Sequence, residues 1–147
     1  YVFIFGFPGE TWGQMQTTMD FMKHLKRIYA DTRTTSLFFT PYPGTALTQL
    51  GQEHGFNSPS SLEEWAGYDA RTVETPWITP QQRRKVRQVA DFYLPWAYPN
   101  QLARNRTANS RVGPLYKVFT LLCRARVGLG FFSFPWEWRL ARWLRLT

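Results

Sequence analysis

Residues 1–11 read YVFIFGFPGET, and six of the first seven are apolar. Val2 and Ile4 are β-branched, and Gly6, Pro8 and Gly9 cut the run too short for a helix, so the stretch predicts a strand. A continuous apolar run is the pattern of a strand buried on both faces, the habit of parallel sheets. The glycine–proline–glycine turn then leads into a helix. Such a turn aims backbone N–H groups at a ligand beside a positive helix end, which suits an anion or a nucleotide. Neither common nucleotide loop is present. The G-x-x-x-x-G-K-[ST] pattern needs a lysine that is missing here, and Gly6 and Gly9 do not supply G-x-G-x-x-G. By itself the stretch is more plainly a tight βα turn with no ligand.

Downstream, Met15, Met19, Met22, Leu25, Ile28 and Tyr29 recur at three- and four-residue steps, which predicts a helix ending near Ala30. Glu10 and Thr11 suit its positive end, with Thr11 as N-cap, and Lys23, Lys26 and Arg27 suit its C-terminal half. SLFFT (36–40) predicts a second strand, closed by PYPGT because Pro41, Pro43 and Gly44 cannot continue a central strand. The two strand ends lie about 34 residues apart, the length of one strand–helix repeat, so strand, helix and strand form a βαβ unit. A short helix is expected from about Thr45 to Glu53, stopped at Gly55. Ser60 and Ser61 with Glu63 and Glu64 form a capping box for another. Thr79-Pro80-Gln81-Gln82 opens a third, running through Val86, Val89, Ala90 and Tyr93 and ending before Pro95. Residues 99–111 read as a polar, basic loop or a poorly formed helix. Pro114–Val127 is helical, with Val118, Leu121, Leu122 and Ala125 on its apolar face, and Pro135 opens a last helix.

The 147 residues suffice for one ordinary domain, and 44% are hydrophobic, enough to fill a core. Residues 1–100 carry nine Lys/Arg and nine Asp/Glu, whereas 101–147 carry nine Lys/Arg and one acid, Glu137. The whole excess of +8 therefore sits in the last third, as on a surface that meets anions. Cys123 is the sole cysteine, which excludes an intrachain disulfide and a Cys-rich metal site and fits a reducing compartment. No apolar run approaches the roughly 18 residues of a spanning helix, and no basic lead of a signal peptide precedes the first apolar run. His24, on the charged side of the first helix, and His54, at a helix end, lack ligand partners at i+3 or i+4. No spacing argues for a nucleophilic triad or an acid–base carboxylate pair. The run Arg83–Arg87 reads as a solvated helix face.

FTPYPGT (39–45) is either a rigid connector or a wall for a ligand held at strand ends, where parallel α/β folds place their sites. Taken together, GFPGET, the Met-rich helix, FFTPYPGT and LEEWAGYD resemble the later part of the radical S-adenosylmethionine enzymes, closest to the subgroup that carries a cobalamin-binding domain. The likeness covers about residues 1–70, and TPWITPQQRRKVRQVADFYL looks like that family's variable extension. It implies an α/β fold: the last two βα units of a partial (β/α)6 TIM-like barrel, two parallel strands, followed by a mainly helical C-terminal extension. It also implies a preceding N-terminal part of a parent chain, with YVFIF as fifth strand and SLFFT as sixth. By the same resemblance, Ile4 would contact the adenine of S-adenosylmethionine, and Gly6, Phe7, Pro8 and Gly9 would shape the turn. Glu10 falls one residue beyond the shortest form of the motif. Thr40, Pro41 and Tyr42 would lie beside adenine and substrate. Glu63, Glu64, Trp65 and Tyr68 match a recurrent region of no derivable chemical role.

The family's [4Fe–4S] cluster needs a C-x-x-x-C-x-x-C loop, with S-adenosylmethionine on the fourth iron. This chain has no such loop, and Cys123 reads as a small apolar residue of a helix. The resemblance therefore implies a parent enzyme that cleaves S-adenosylmethionine to methionine and a 5′-deoxyadenosyl radical, for hydrogen abstraction or methyl transfer on a small-molecule or lipid substrate. Cobalamin is a further expected cofactor. This segment would supply the adenine-side and substrate-side wall and would be inactive alone. Three segments are expected: the barrel portion 1–55, an irregular helical extension 56–110, and a basic Trp/Arg-rich end 111–147.

In PWEWRLARWLRLT (135–147), Trp136, Leu140, Trp143 and Leu144 fall on one helical side and Arg139, Arg142 and Arg145 mostly on the other. That is the composition of a helix lying in a membrane surface. Arg124 and Arg126 add charge that an anionic leaflet attracts. Docking of the Trp/Leu face onto a parent enzyme reads the same residues equally physically. Nucleic acid is not expected, since no binding module pattern is present. The alternative to an enzyme fragment is a peripheral membrane or interaction module. The expected location is cytoplasmic, with peripheral contact at the inner membrane face.

Overall fold

The computed structural model describes residues 1–66, 74–108, 113–132 and 134–143. Strands β1 (Val2–Phe5) and β2 (Thr35–Phe38) pair in parallel, with Ile4 opposite Leu37 and Phe5 opposite Phe38. Helix α1 (Trp12–Ile28) connects them. Thr11 caps α1 as its sequence suggested: the hydroxyl accepts from Gln14 N at 3.3 Å, and Gln14 Oε1 accepts from Thr11 N at 2.8 Å. The buried seam of α1 is Met15, Met19, Met22 and Lys26. Ile28 and Tyr29, expected on that seam, are exposed, because the four-residue step from Met22 leads to Lys26 instead. Burial lowers the Lys26 pKa, and the nearby Asp31 charge opposes the shift.

The apolar run of β1 is buried on one face only, which corrects the expectation of two. Phe3, Phe5 and Phe38 turn toward the helices, with Phe3 edge-on to Phe21 at 6.1 Å. Val2, Ile4 and Leu37 turn away and stay exposed, since no described helix packs on their side. Covering such a side chain contributes about 1.5–3 kcal/mol, so the open face forgoes stabilisation of that size at each position.

After α2 (Ala46–Glu53) and α3 (Leu62–Ala66), the chain enters α4 (Pro80–Arg87), which continues as a π-helical segment (Gln88–Tyr93) into α5 (Leu94–Ala97). Thr79 with Gln82 caps α4 as expected, and the Ser61 hydroxyl accepts from Glu64 N at the start of α3, while Thr45, at the expected start of α2, caps that helix by accepting from Thr48 N. The helix does not stop before Pro95. In the π segment Leu94 N reaches back five residues to Val89 O, and this wider turn shifts the ladder away from the carbonyl a proline ring would strike. Val89, Ala90, Phe92, Tyr93, Leu94 and Ala97 are all buried, making this segment the centre of the core.

Residues 101–108 form a helix, α6 (Gln101–Ala108), where a loop or poorly formed helix was expected. Asn100 Oδ1 caps it by accepting from Ala103 N at 2.8 Å. Helix α7 (Gly113–Leu129) packs on α5 and the π segment. It buries Thr120, Cys123 and Val127, and Phe119 stacks edge-on against Trp96 at 4.8 Å. Its expected apolar face is the outward one: Val118, Leu121, Leu122 and Ala125 are exposed. The aromatic neighbours on α5 recruit Tyr116 and Phe119 instead. Helix α8 (Trp136–Trp143) turns Glu137 and Ala141 inward. One core cluster runs from Phe5 through Tyr93 to Ala141.

Candidate functional site

The two sequence motifs meet at the C-terminal ends of β1 and β2. Phe7 and Phe39, the first residues of each loop to pack across, lie 5.1 Å apart between ring centres. Phe39 N donates to Phe5 O at 2.7 Å, extending the strand pairing into the loop.

The GFPGE turn is closed by its own acid. Glu10 Oε2 accepts from Gly6 N, and from Phe7 N at 3.2 Å. Glu10 therefore points back into the turn and does not cap α1, a task left to Thr11. Gly6 has φ +78°, and a Cβ there would fall 1.8 Å from Ile78 Cδ1, so glycine is required twice over. The two N–H groups that could receive an anion are thus already paired with a carboxylate.

Trp77 ties the two loops together. Its Nε1 donates to Gly6 O at 2.8 Å, its ring lies 6.4 Å from Phe39, and Gly51 of α2 approaches it so closely that a Cβ would sit 3.1 Å away. His54 meets the same indole edge-on at 6.4 Å. No periodic signal marked Trp77 in sequence, because it stands in a broken stretch between elements.

Of the residues matched to S-adenosylmethionine contact, Ile4 (44% exposed) and Tyr42 (60%) present accessible side chains. Gly9 is exposed, Phe7 and Glu10 are half-buried, and Gly6, Pro8, Thr40 and Pro41 are buried. Thr40 and Pro41 thus pack beneath the loop, while the Tyr42 carbonyl accepts from Thr45 Oγ1 at 3.0 Å and fixes the start of α2.

Arg83 and Arg87 do not form a purely solvated face. Arg83 lies 4.4 Å over the Phe38 ring and Arg87 5.6 Å from it. Burial, then the charge of Arg87, lowers the Arg83 pKa, while Glu74 opposes the shift.

At the basic end, Arg126 pairs through Nε with Glu137 Oε1, and its other nitrogens donate to Phe131 O at 3.3 Å and Phe134 O at 3.1 Å. Tyr93 OH donates to Glu137 Oε2 at 3.4 Å. This arginine is therefore a clamp between α7 and α8, turned away from any flat outer surface. Arg124 Nε donates to Ala97 O at 2.7 Å, and Trp136 and Arg139 are exposed. Tyr68 and Arg145 lie outside the described residues, as do the side chains of Arg142 and Trp143.

Cys123 is fully buried, and burial, reinforced by Glu137, pushes its thiol up to about 12. A buried thiol that stays protonated is unsuited to ligate iron. Among the described residues no group of three or more His, Cys, Asp or Glu could hold a metal ion, and no helix is long and apolar enough to cross a membrane. No protein-family model matches the chain, and no curated protein or solved structure matches it at a significant level.

Proposed function

We propose that this chain is the closing part of a radical S-adenosylmethionine enzyme. It would contribute the last two βα units of a partial (β/α)6 barrel and a helical extension, with the open face of its strands lining the pocket on the adenine side. The observation that carries this reading is the one-sided sheet. β1 and β2 run parallel and adjacent, helices cover one face, and Val2, Ile4 and Leu37 stand uncovered on the other. Two consecutive staves of a barrel have this form, with helices outside and apolar side chains toward the interior. Both resembling motifs lie at the strand ends where parallel α/β folds hold their ligands.

The chemistry of the turn supports the same ligand. With Glu10 already seated on the Gly6 and Phe7 amides, the turn is ill suited to a phosphate. S-adenosylmethionine carries no phosphate and has a cationic sulfonium, which a nearby carboxylate favours. Ile4 offers an apolar contact to the adenine face, Tyr42 an exposed ring toward the substrate side, and Trp77 holds the turn that positions both. When bound in the parent enzyme, S-adenosylmethionine and a [4Fe–4S] cluster supply the radical or methyl-transfer chemistry.

The residues here do not fit the cluster, since the lone Cys123 is buried in α7 away from the strand ends. Its ligands, and any cobalamin site, belong to the parent chain outside these residues. The substrate is then a small molecule or lipid, and the enzyme acts in the cytoplasm or at the inner membrane face.

The test is to express the reading frame upstream of Tyr1 together with this chain and load it anaerobically with iron and sulfide. A [4Fe–4S] spectrum and conversion of S-adenosylmethionine to 5′-deoxyadenosine are expected. Ile4→Asp should raise KM for S-adenosylmethionine with an unchanged cluster spectrum. An upstream frame without C-x-x-x-C-x-x-C sinks the reading.

A further inference from the structure

We propose that the outward side of α7, with the groove between α6 and α7, is a seat for an anionic lipid surface. Leu115, Val118, Leu122, Ala125 and Leu129 recur at alternating steps of three and four residues, which places them in one seam along the helix. All five are exposed, Leu115 at 70% and Leu129 at 80%, while the opposite side of the helix makes the core contacts. A helix that buries one side in the protein and shows a leucine seam on the other has a second apolar surface to cover.

Beside this seam lies a groove of about 420 Å³. Pro99, Tyr116 and Leu121 give it apolar walls, and Arg104, Lys117 and Arg124 stand around it. The Thr120 hydroxyl, also lining it, is buried and has no hydrogen-bond partner. A buried hydroxyl without a partner forgoes free energy that a ligand oxygen would restore. Apolar walls, three cations and an unpaired hydroxyl match an amphiphile with a phosphate headgroup, the acyl part against the seam and the phosphate among the cations.

Charge decides the occupant. Residues 101–147 carry nine Lys/Arg, and their single acid, Glu137, is buried and paired with Arg126. A second copy would set its own Arg104, Lys117 and Arg124 against these three cations, and a 17-residue helix is short of the three to four heptads of a coiled-coil partner. An anionic leaflet attracts such a surface by about 1 kcal/mol per basic residue, or about fivefold in affinity. The inference is independent of the enzymatic reading: the lipid surface is recognised by α6 and α7, not by the strand ends. It also moves the membrane contact from α8 to α7, since the Arg126–Glu137 clamp holds α8 in place.

The test is co-sedimentation of the full chain with vesicles of phosphatidylcholine alone and of phosphatidylcholine mixed with phosphatidylglycerol, at low and high salt. Binding is expected only to the mixed vesicles, and high salt should weaken it. Lys117→Gln should weaken it about fivefold. Val118→Asp with Leu122→Asp should abolish it while the far-ultraviolet circular dichroism stays unchanged. Thr120→Val should weaken binding about threefold without lowering the urea midpoint, which a purely structural hydroxyl would not do. The proposal is overturned if the wild-type chain ignores mixed vesicles at low salt, or if the Lys117 and Thr120 variants bind like wild type. It is equally overturned if only removal of 131–147 abolishes binding, if inorganic phosphate displaces the vesicles completely at constant ionic strength, or if Val118→Asp dissolves a dimer instead.

Discussion

Replacing Glu137 by Gln removes the carboxylate that faces Arg126 between α7 and α8 while keeping the shape and one hydrogen-bonding oxygen for Tyr93. The Glu137 side chain is 2% exposed and that of Arg126 13%. Taking one partner from a buried ion pair costs about 3–5 kcal/mol, because the remaining charge stays desolvated. Arg126 keeps its bonds to the Phe131 and Phe134 carbonyls and some access to water, which sets the expected loss at the lower end, about 3 kcal/mol. For a chain of this size that corresponds to a fall in Tm of about 6–12 °C. Urea unfolding followed by tryptophan fluorescence measures it directly. The double variant Arg126→Met with Glu137→Leu should lie close to wild type, since replacing both charges removes the desolvation cost as well. A Glu137→Gln loss within about 0.5 kcal/mol would refute the reasoning, for the pair would then be screened like a surface salt bridge.

Glu10→Ala should cost about 2 kcal/mol by leaving the Gly6 and Phe7 amides unpaired, and the variant should gain thermal stability in phosphate that wild type does not. Equal phosphate stabilisation of both would show that the carboxylate does not fill the turn. Gly6→Ala should destabilise by at least about 2 kcal/mol. Adding Ile78→Ala should recover only the steric part, because the positive φ persists. Cys123 should resist alkylation at neutral pH until the chain unfolds. Its thiol is raised from 9.0 to about 12, so above pH 9.0 the unfolded chain loses this proton first and the folded state loses stability as pH rises toward about 12. Tyr93, also raised by burial, acts with the same sign above its ordinary value of 10.0, and urea midpoints that stay flat across this range would contradict both. With its strand face open, the chain alone should unfold below the roughly 45–65 °C of an intact mesophilic domain. A cooperative transition near the top of that range would mean that the face is covered.

Local chemistry made much of the fold legible. The caps at Thr11 and Thr79 follow from side chains that accept the nearest free amides, a choice made within four residues. The two parallel strands followed from their apolar runs and the helix-length gap between them. What sequence could not assign was sidedness. Val118 and Leu122 read as core and Phe119 does not stand out, because periodicity locates an apolar stripe without saying what packs on it. Tyr116 and Phe119 win the inward side through Trp96, a contact across twenty or more residues. Pro95 misled for a related reason: it breaks an α-helix, but a π segment upstream removes the clash, and that segment is set by core packing. At the candidate site, Gly6 and Glu10 were visible as a turn. The Trp77 bracket over them was not, since it spans 71 residues.

The open sheet also sets an order of motion. Among the described residues each strand of the β1–β2 pair has one neighbour and one open face, so its backbone bonds are less protected than those of the core helices. The amides of the π segment, wrapped by α1, α5 and α7, can open only when the whole core does. Hydrogen exchange should therefore be fastest through Val2–Phe5 and Thr35–Phe38 and slowest at Val89–Leu94, with the strand ends that carry the GFPGE turn loosening long before the protein unfolds.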